Sequence, residues 1–246
     1  MTVMNNDGGP QEVPYSGWQL LADVLHLEDE LFRKLFFLEG YVFSSNIYTI
    51  VGSYLTIVDP GNDYTAFLEF SEFGRGPTDI KKIVLTHQHQ DHTMGIFELL
   101  RGYPSIVERG GFEVILHEAN PPQLKEMVRQ FGCQVTEVKG GETLELSGFE
   151  WEVIHTPGHT LDGICLFHAP TRTAFTGDTV MPHAMAKPDP YAGGRMEDYL
   201  PGLQRLLDKE IAHLLPGHSL PVASDGQRVI EETYEGVQLK LQQTAT

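Results

Sequence analysis

Thr86-His87-Gln88-His89-Gln90-Asp91-His92 follows directly on the apolar run Ile83-Val84-Leu85. Three histidines and an aspartate within six positions are costly to bury unless something pairs them. In an extended or turn conformation His87 and His89 point to one side, because side chains alternate with period two. Asp91 and His92 can then face a neighbouring point. Imidazole and carboxylate together suit zinc, iron or manganese better than calcium or magnesium. A solvated polar loop is the plainer reading, and the clustering at a strand end weighs against it.

Three more segments have the same setting. His159 lies in His155-Thr156-Pro157-Gly158-His159-Thr160, Asp178 in Phe175-Thr176-Gly177-Asp178-Thr179, and His218 in Leu214-Leu215-Pro216-Gly217-His218-Ser219. Each follows a strand-like run, so their side chains can gather at one edge of a sheet. Any one of them alone is weak. Together with the first segment they supply five histidines and two carboxylates beside turns, which fits two metal ions rather than one.

HQHQDH, HTPGHT, TGD and PGH, in this order, resemble the metallo-β-lactamase superfamily of hydrolases over about residues 42–220. The resemblance implies an α/β fold: a single-domain, four-layer αββα sandwich with a metal centre at the edge of its two sheets. It implies that His87, His89 and His159 hold a first metal, that Asp91, His92 and His218 hold a second, and that Asp178 bridges both. Asp59, in Val58-Asp59-Pro60-Gly61, matches an early family signature and is expected to orient a ligand histidine. His155 falls at a frequent family position and is not counted as a ligand.

The expected cofactor is two zinc ions, with iron or manganese as alternatives. Two such ions about 3.5–4 Å apart share a water and lower its pKa, so that a bridging hydroxide attacks a small ester, thioester or lactone. Asp91 is the expected catalytic carboxylate, accepting a proton or orienting the nucleophile. Two other readings stand beside this one: a mononuclear iron oxidoreductase resembling persulfide dioxygenases, and a phosphodiesterase or nuclease. Subfamily patterns narrow the choice. The commonest zinc β-lactamases place Cys where Asp178 stands, and flavodiiron proteins place Glu where His89 stands. Glyoxalase II commonly adds a C-terminal helical domain, whereas 28 residues follow His218 here.

Composition bounds the rest. The chain has 246 residues, 41% of them hydrophobic and 21% charged, enough for a core and against global disorder. Seventeen basic and 34 acidic side chains give a formal charge of −17, which disfavours nucleic acid and an acidic membrane surface as partners. A small molecule is the expected partner. Cys133 and Cys165 cannot build a disulfide framework or a four-thiolate zinc site. The N-terminus has no basic flank and no apolar run, and Tyr41 to Val58, although uncharged, reads as two β-branched strands joined at Gly52-Ser53. A cytoplasmic location is expected.

Residues 1–16, rich in Gly, Pro and Asn, are expected to be a flexible N-terminal segment, and residues 17–246 the hydrolase domain. Strands are predicted at Asn46–Val51, Tyr54–Val58, Lys82–Thr86, Glu113–His117, Gln134–Val138, Thr143–Leu146, Glu150–His155, Ile164–Phe167 and Thr173–Thr176. Helices are predicted after Pro121-Pro122, over Met196–Leu207 with Pro201 as an alternative start, and after a Ser224/Gln227 capping box. Residues 46–61 and 163–178 echo one another: each reads as strand, turn, strand, then Asp, with a later strand ending near histidine. The echo predicts two similar halves packed sheet on sheet. Finally, Met181–Tyr199 leaves Asp178 directly and is broken by Pro and Gly, so a loop is expected there. Its His183, Lys187, Tyr191 and Arg195 are the candidate substrate contacts, with the two cations suited to an anionic molecule. His26, His117, His168 and His213 are expected to be structural.

Overall fold

A computed structural model describes residues 2–4, 10–12, 17–62 and 74–244. Along the chain, β1 (Thr2–Met4) and β2 (Pro10–Glu12) pair as an antiparallel hairpin, the described part of the segment expected to be flexible. Then come β3 (Gln19–Leu20), α1 (Leu21–Leu25), β4 (Leu35–Leu38), β5 (Ile47–Val51), β6 (Leu55–Val58) and β7 (Ile80–Val84). Helices α2 (Gln90–Thr93), α3 (Gly95–Gly102) and α4 (Pro104–Glu108) precede β8 (Glu113–His117), α5 (Pro122–Gln130) and β9 (Gln134–Val138). The second half holds β10 (Thr143–Leu146), β11 (Phe149–His155), β12 (Ile164–His168), β13 (Thr173–Gly177), α6 (Tyr199–Leu207), β14 (His213–Pro216) and α7 (Gly226–Thr244).

Strands β3 to β9 form a seven-stranded sheet in sequence order, and β10 to β14 a five-stranded one. In the first, β3 through β6 pair antiparallel and β6 through β9 parallel. In the second, β10 through β13 pair antiparallel and β13 with β14 parallel. The echo between the halves is therefore structural. Each has a hairpin, β5–β6 or β12–β13, followed by a parallel strand, β7 or β14, that runs into a histidine motif.

Apolar burial divides the molecule into layers. Phe37, Tyr48, Ile50, Val58, Val84 and Ile115 of the first sheet pack against Leu146, Trp151, Val153, Leu166, Phe175 and Leu215 of the second. Outside the first sheet, Ile57, Ile83 and Val114 meet Ile96, Leu99, Ile106 and Val128 of α3 to α5. Outside the second, Ile154, Cys165 and Ala174 meet Leu203, Leu206, Val229, Ile230 and Val237 of α6 and α7. Central strands covered on both faces read as continuous apolar runs, as in Leu55-Thr56-Ile57-Val58, where all four residues are buried. The result is the αββα sandwich. Among the described residues no helix is long and apolar enough to cross a membrane.

Several local expectations shift. Strand β7 ends at Val84, not Thr86, so Leu85 and Thr86 already belong to the turn that aims the histidines. The sequence reading places no helix over Gln90–Gly102: α2 is only four residues long and carries Asp91 and His92, whereas α3 has a readable apolar stripe in Ile96, Phe97, Leu99 and Leu100. The helix expected from Met196 begins at Tyr199 after a 3-10 turn over Met196–Asp198, and Pro201 sits in its first turn, where no intrahelical N–H is needed. Gln227 does not close a capping box with Ser224. Its amide accepts from Ile211 N and donates to Leu207 O, tying α7 to the end of α6.

Candidate metal centre

Parallel pairing places strand ends together, and the chemistry gathers there. The turns after β6 and β7 deliver Asp59 and His87, and α2 with its N-cap carries His89, Asp91 and His92. The turns after β11, β13 and β14 deliver His159, Asp178 and His218. His87, His92 and Asp178 are buried. One set of converging ligand atoms comes from His87, His89 and His159, a second from Asp91, His92 and His218, and a third, from His87, His92 and Asp178, joins them.

Hydrogen bonding on the outer side of each ring fixes which nitrogen faces inward. His89 Nε2 donates to Asp189 Oδ2 at 3.0 Å, and His159 Nδ1 to the Lys187 carbonyl at 2.7 Å. Thr86 Oγ1 gives its proton to Asp59 Oδ2 at 2.6 Å, so at 3.1 Å it accepts from His87 Nδ1. The inner nitrogens are then bare lone pairs, with His89 Nδ1 only 3.1 Å from His87 Nε2 and 3.0 Å from His159 Nε2. Neutral lone pairs cannot hydrogen-bond one another, and a cation resolves the contact. Tetrahedral zinc–nitrogen geometry calls for ligand atoms roughly 3.3 Å apart, close to this spacing.

The second set has the same character. His92 Nδ1 donates to Asp59 Oδ2 at 2.8 Å, leaving Nε2 facing Asp178 Oδ1 at 3.4 Å and Asp91 Oδ2 at 3.6 Å. Both His92 Nε2 and Asp178 Oδ1 are buried without a hydrogen-bond partner among the described residues. Two buried electron-pair donors aimed at one point, neither able to donate a proton to the other, suit a cation between them. His218 Nε2 lies 3.0 Å from Asp91 Oδ2 and 3.7 Å from Asp178 Oδ2, and His159 Nε2 lies 3.6 Å from the same Asp178 oxygen. The donor set thus fits divalent ions at both places, with Asp178 between them.

Electrostatics follow from this crowding. Burial and the neighbouring His92 hold His87 well below the usual imidazole range, which favours the neutral ring. Burial would also lower His92, but Asp59 and Asp178 outweigh it and raise that ring well above its usual value. Burial would raise Asp178, yet His92, His87 and His218 hold it far below the usual carboxylate range. The centre attracts positive charge. Burial pushes the Cys165 thiol up to about 11, which removes it as a nucleophile.

The Metallo-beta-lactamase superfamily model matches residues 40–218, spanning every one of these segments. The chain belongs to the metallo-beta-lactamase superfamily. A probable metallo-hydrolase of Methanocaldococcus jannaschii is 31% identical over 200 residues, covering 74% of this chain and 90% of that one. An atrochrysone carboxyl ACP thioesterase of Passalora fulva is 25% identical over 198 residues, covering 76% of this chain and about half, 52%, of the fungal protein. A metallo-beta-lactamase family protein of Thermus thermophilus has the same fold, with a TM-score of 0.67 at 24% identity, over 85% of this chain and 81% of that one.

Within this metallo-beta-lactamase frame, all seven candidate ligands and Asp59 lie together. The loop candidates sit differently. His183, at φ 59°, lines a cavity of about 220 Å³ with Met181, Met185, Val229, Thr233 and Lys240. Tyr191 is fully exposed, and Arg195 lies 3.8 Å from Glu197 and 4.0 Å from Asp198. Lys187 meets the centre through its carbonyl. Sequence reasoning missed three groups. Asp189 bonds His89. Asn46 Nδ2 and Tyr48 OH donate to the Pro216 carbonyl at 3.0 and 2.8 Å and hold the His218 turn. Gln88, between two ligands, donates to buried Asp162 at 3.2 Å, which also accepts from Asn120 at 2.7 Å. Only Asp189 carried a readable signal: Asp before Pro, with Gly following, marks the start of a capped turn.

Proposed function

We propose that this member of a metallo-hydrolase superfamily hydrolyses a thioester or ester of an apolar acyl group, using two zinc ions. The observation that carries the reading is the pair of converging donor sets that share Asp178. His87, His89 and His159 would hold one ion and Asp91, His92 and His218 the other, with the Asp178 carboxylate shared between them. Ions bound there supply a water acidic enough to ionise near neutral pH and polarise a substrate oxygen.

The remaining work falls to the chain's own residues. Asp59 holds His92 in the tautomer that leaves Nε2 bare. Asp91 has a 31% exposed side chain against 10% for Asp178, so Asp91 is the carboxylate that exchanges a proton between the reacting water, the leaving group and solvent. Buried Thr86, Thr160, Thr176 and Thr179 line the inner wall beside His87, His159 and Asp178 and shield it from bulk water.

Two observations favour an acyl substrate. Val42 and Phe43 are 67% and 78% exposed on the turn leading to Ser45, whose N–H donates to the Asp91 carbonyl at 2.9 Å. Leu220, 58% exposed, follows His218 by two residues. Exposed apolar side chains beside a charged centre suit an apolar group brought next to a polar scissile bond. The fungal relative is named a thioesterase, which supports the thioester in particular. Lys187, Tyr191 and Arg195 on the exposed loop, with His183 at its base, are assigned to the remainder of the substrate, the two cations to an anionic portion. Arg195 shares its charge with Glu197 and Asp198, so Lys187 is the stronger of the two.

Protein purified without added metal is expected to contain about two zinc ions per chain and to turn over acyl thioesters in preference to phosphodiesters. Chelation should abolish turnover, and zinc should restore it. About one iron per chain, or cleavage confined to phosphodiesters, would overturn the proposal. Phe43→Ala is expected to raise KM for long acyl chains several-fold, by loss of roughly 1–2 kcal/mol of apolar contact, with metal content unchanged. An equal KM for short and long chains in both proteins would remove Phe43 from the acyl site.

A further inference from the structure

The segment from Lys187 to Gly194 lies against both loops that supply the first histidine trio. His159 Nδ1 donates to the Lys187 carbonyl, and the Asp189 N–H donates back to the His159 carbonyl at 2.8 Å. The Leu161 N–H and the Gln88 amide both donate to the Ala192 carbonyl, at 2.9 and 3.4 Å. His89 Nε2 donates to Asp189 Oδ2 at 3.0 Å. A Cβ on Gly194 would stand 2.0 Å from the His159 carbonyl oxygen, so the backbone approach there leaves no room for a side chain. These contacts place one short strap on the outer side of two of the three rings.

Asp189 has two jobs within the strap. Its Oδ1 accepts from Tyr191 N at 2.9 Å and caps the 3-10 turn Pro190–Ala192, while its Oδ2 faces His89. The second contact matters for metal binding because imidazole offers one lone pair only when its other nitrogen keeps the proton. His89 turns Nδ1, not Nε2, toward the trio. A free imidazole does not hold its proton on Nε2 alone, and a ring with the proton on Nδ1 presents an N–H where the trio needs a lone pair.

We propose that Asp189 is a positioning residue for the first metal. Its carboxylate fixes His89 as the Nε2–H tautomer and holds the ring in the plane that meets His87 and His159. This rests on the metal assignment of the trio above and not on the substrate. The plain alternative is that Asp189 only caps its own turn and touches His89 incidentally.

Two variants separate these roles. Asp189→Ser keeps a side-chain oxygen for the Tyr191 N–H, since serine is a good N-cap, but is too short to reach His89. Asp189→Ala loses both contacts. Stepwise zinc affinity is measured by competition with a chelator, and the His89 tautomer by ¹⁵N NMR of the metal-free protein. Both variants are expected to lose about 10–100-fold in one of the two zinc constants, the range typical of outer partners of metal-bound histidine. Both should also lose the Nε2–H preference of His89, while circular dichroism stays that of the parent. Parental zinc affinity in Asp189→Ser, with a loss confined to Asp189→Ala, would show a cap and nothing more, and overturn the proposal. A parent protein that binds no zinc in the same titration would overturn it by removing the metal site itself. Activity enters neither readout, so a wrong substrate leaves the test intact.

Discussion

Asp178→Ala is expected to purify with at least one ion fewer per chain than the parent and to lose at least about 100-fold in hydrolysis, the upper end for loss of an outer-shell partner and a lower bound for a ligand. The reasoning is electrostatic. Asp178 lies within 3.7 Å of His92, His159 and His218, and its carboxylate is the only one placed between the two donor sets among the described residues. Without it the first set has no carboxylate on its inner side, since Asp189 meets only the outer nitrogen of His89, and the second keeps Asp91 alone. Two dications held close together without an intervening carboxylate repel one another. Asp178→Asn keeps the size and removes the charge, so it should behave like the alanine variant if charge is the cause. Asp178 sits at the edge of the sandwich and bonds to no structural backbone group among the described residues, so both variants should fold. Metal analysis after dialysis against zinc, with circular dichroism as the check on folding, decides the matter. Parental metal content in a folded Asp178→Ala protein would end the bridging assignment.

The legibility of this centre in sequence has a physical basis. Each ligand segment follows an apolar strand, and a run such as Ile83-Val84-Leu85 before Thr86-His87 puts the burial signal and the chemical signal next to each other. The hairpin echo between residues 46–61 and 163–178 is readable for the same reason, since strand alternation and turn residues are local properties. What cannot be read depends on contacts far apart in the chain. Asn46 reaches Pro216 and Ser219 across 170 and 173 positions, and Gln88 reaches Asp162 across 74. Neither amide has a local pattern that marks it. Strand β4 escapes a sequence reading because Leu35-Phe36-Phe37-Leu38 is too short and too uniformly apolar to show a period. The helix carrying Asp91 and His92, with His89 at its N-cap, escapes it because four residues are too few to show a helical period and its buried positions are polar. The loop after Asp178 does approach the centre, but its closest contacts run through the Lys187 carbonyl and Asp189, and a backbone oxygen has no residue type to give it away.

Asp59→Ala is expected to lower the melting temperature of the metal-free protein by about 6–20 °C and to weaken the second metal as well. Asp59 is 2% exposed and accepts three hydrogen bonds: from Thr86 N at 2.8 Å, Thr86 Oγ1 at 2.6 Å and His92 Nδ1 at 2.8 Å. Alanine leaves those donors buried with nothing to receive them. Each stranded donor costs about 1–3 kcal/mol, and breaking one side of a buried charged pair costs about 3–5 kcal/mol in total. In a chain of this size each kcal/mol moves the midpoint by about 2–4 °C, which gives the stated range. The backbone adds to the penalty, because Asp59 adopts φ 51°, a left-handed conformation that aspartate tolerates better than alanine. The metal effect comes from the same bonds. The Asp59 carboxylate keeps the proton of His92 on Nδ1 and, through Thr86, aligns His87. One residue therefore supports a ligand in each donor set. Asp59→Asn retains one accepting oxygen and tolerates the same φ, so its loss of stability should be smaller, while its amide N–H₂ disturbs the Thr86 or the His92 contact. Thermal unfolding in excess chelator isolates the structural share, and repeating it with zinc adds the metal share. A metal-free Asp59→Ala protein melting within about 3 °C of the parent would mean that Thr86 and His92 find other partners, and that Asp59 does not hold the centre in place.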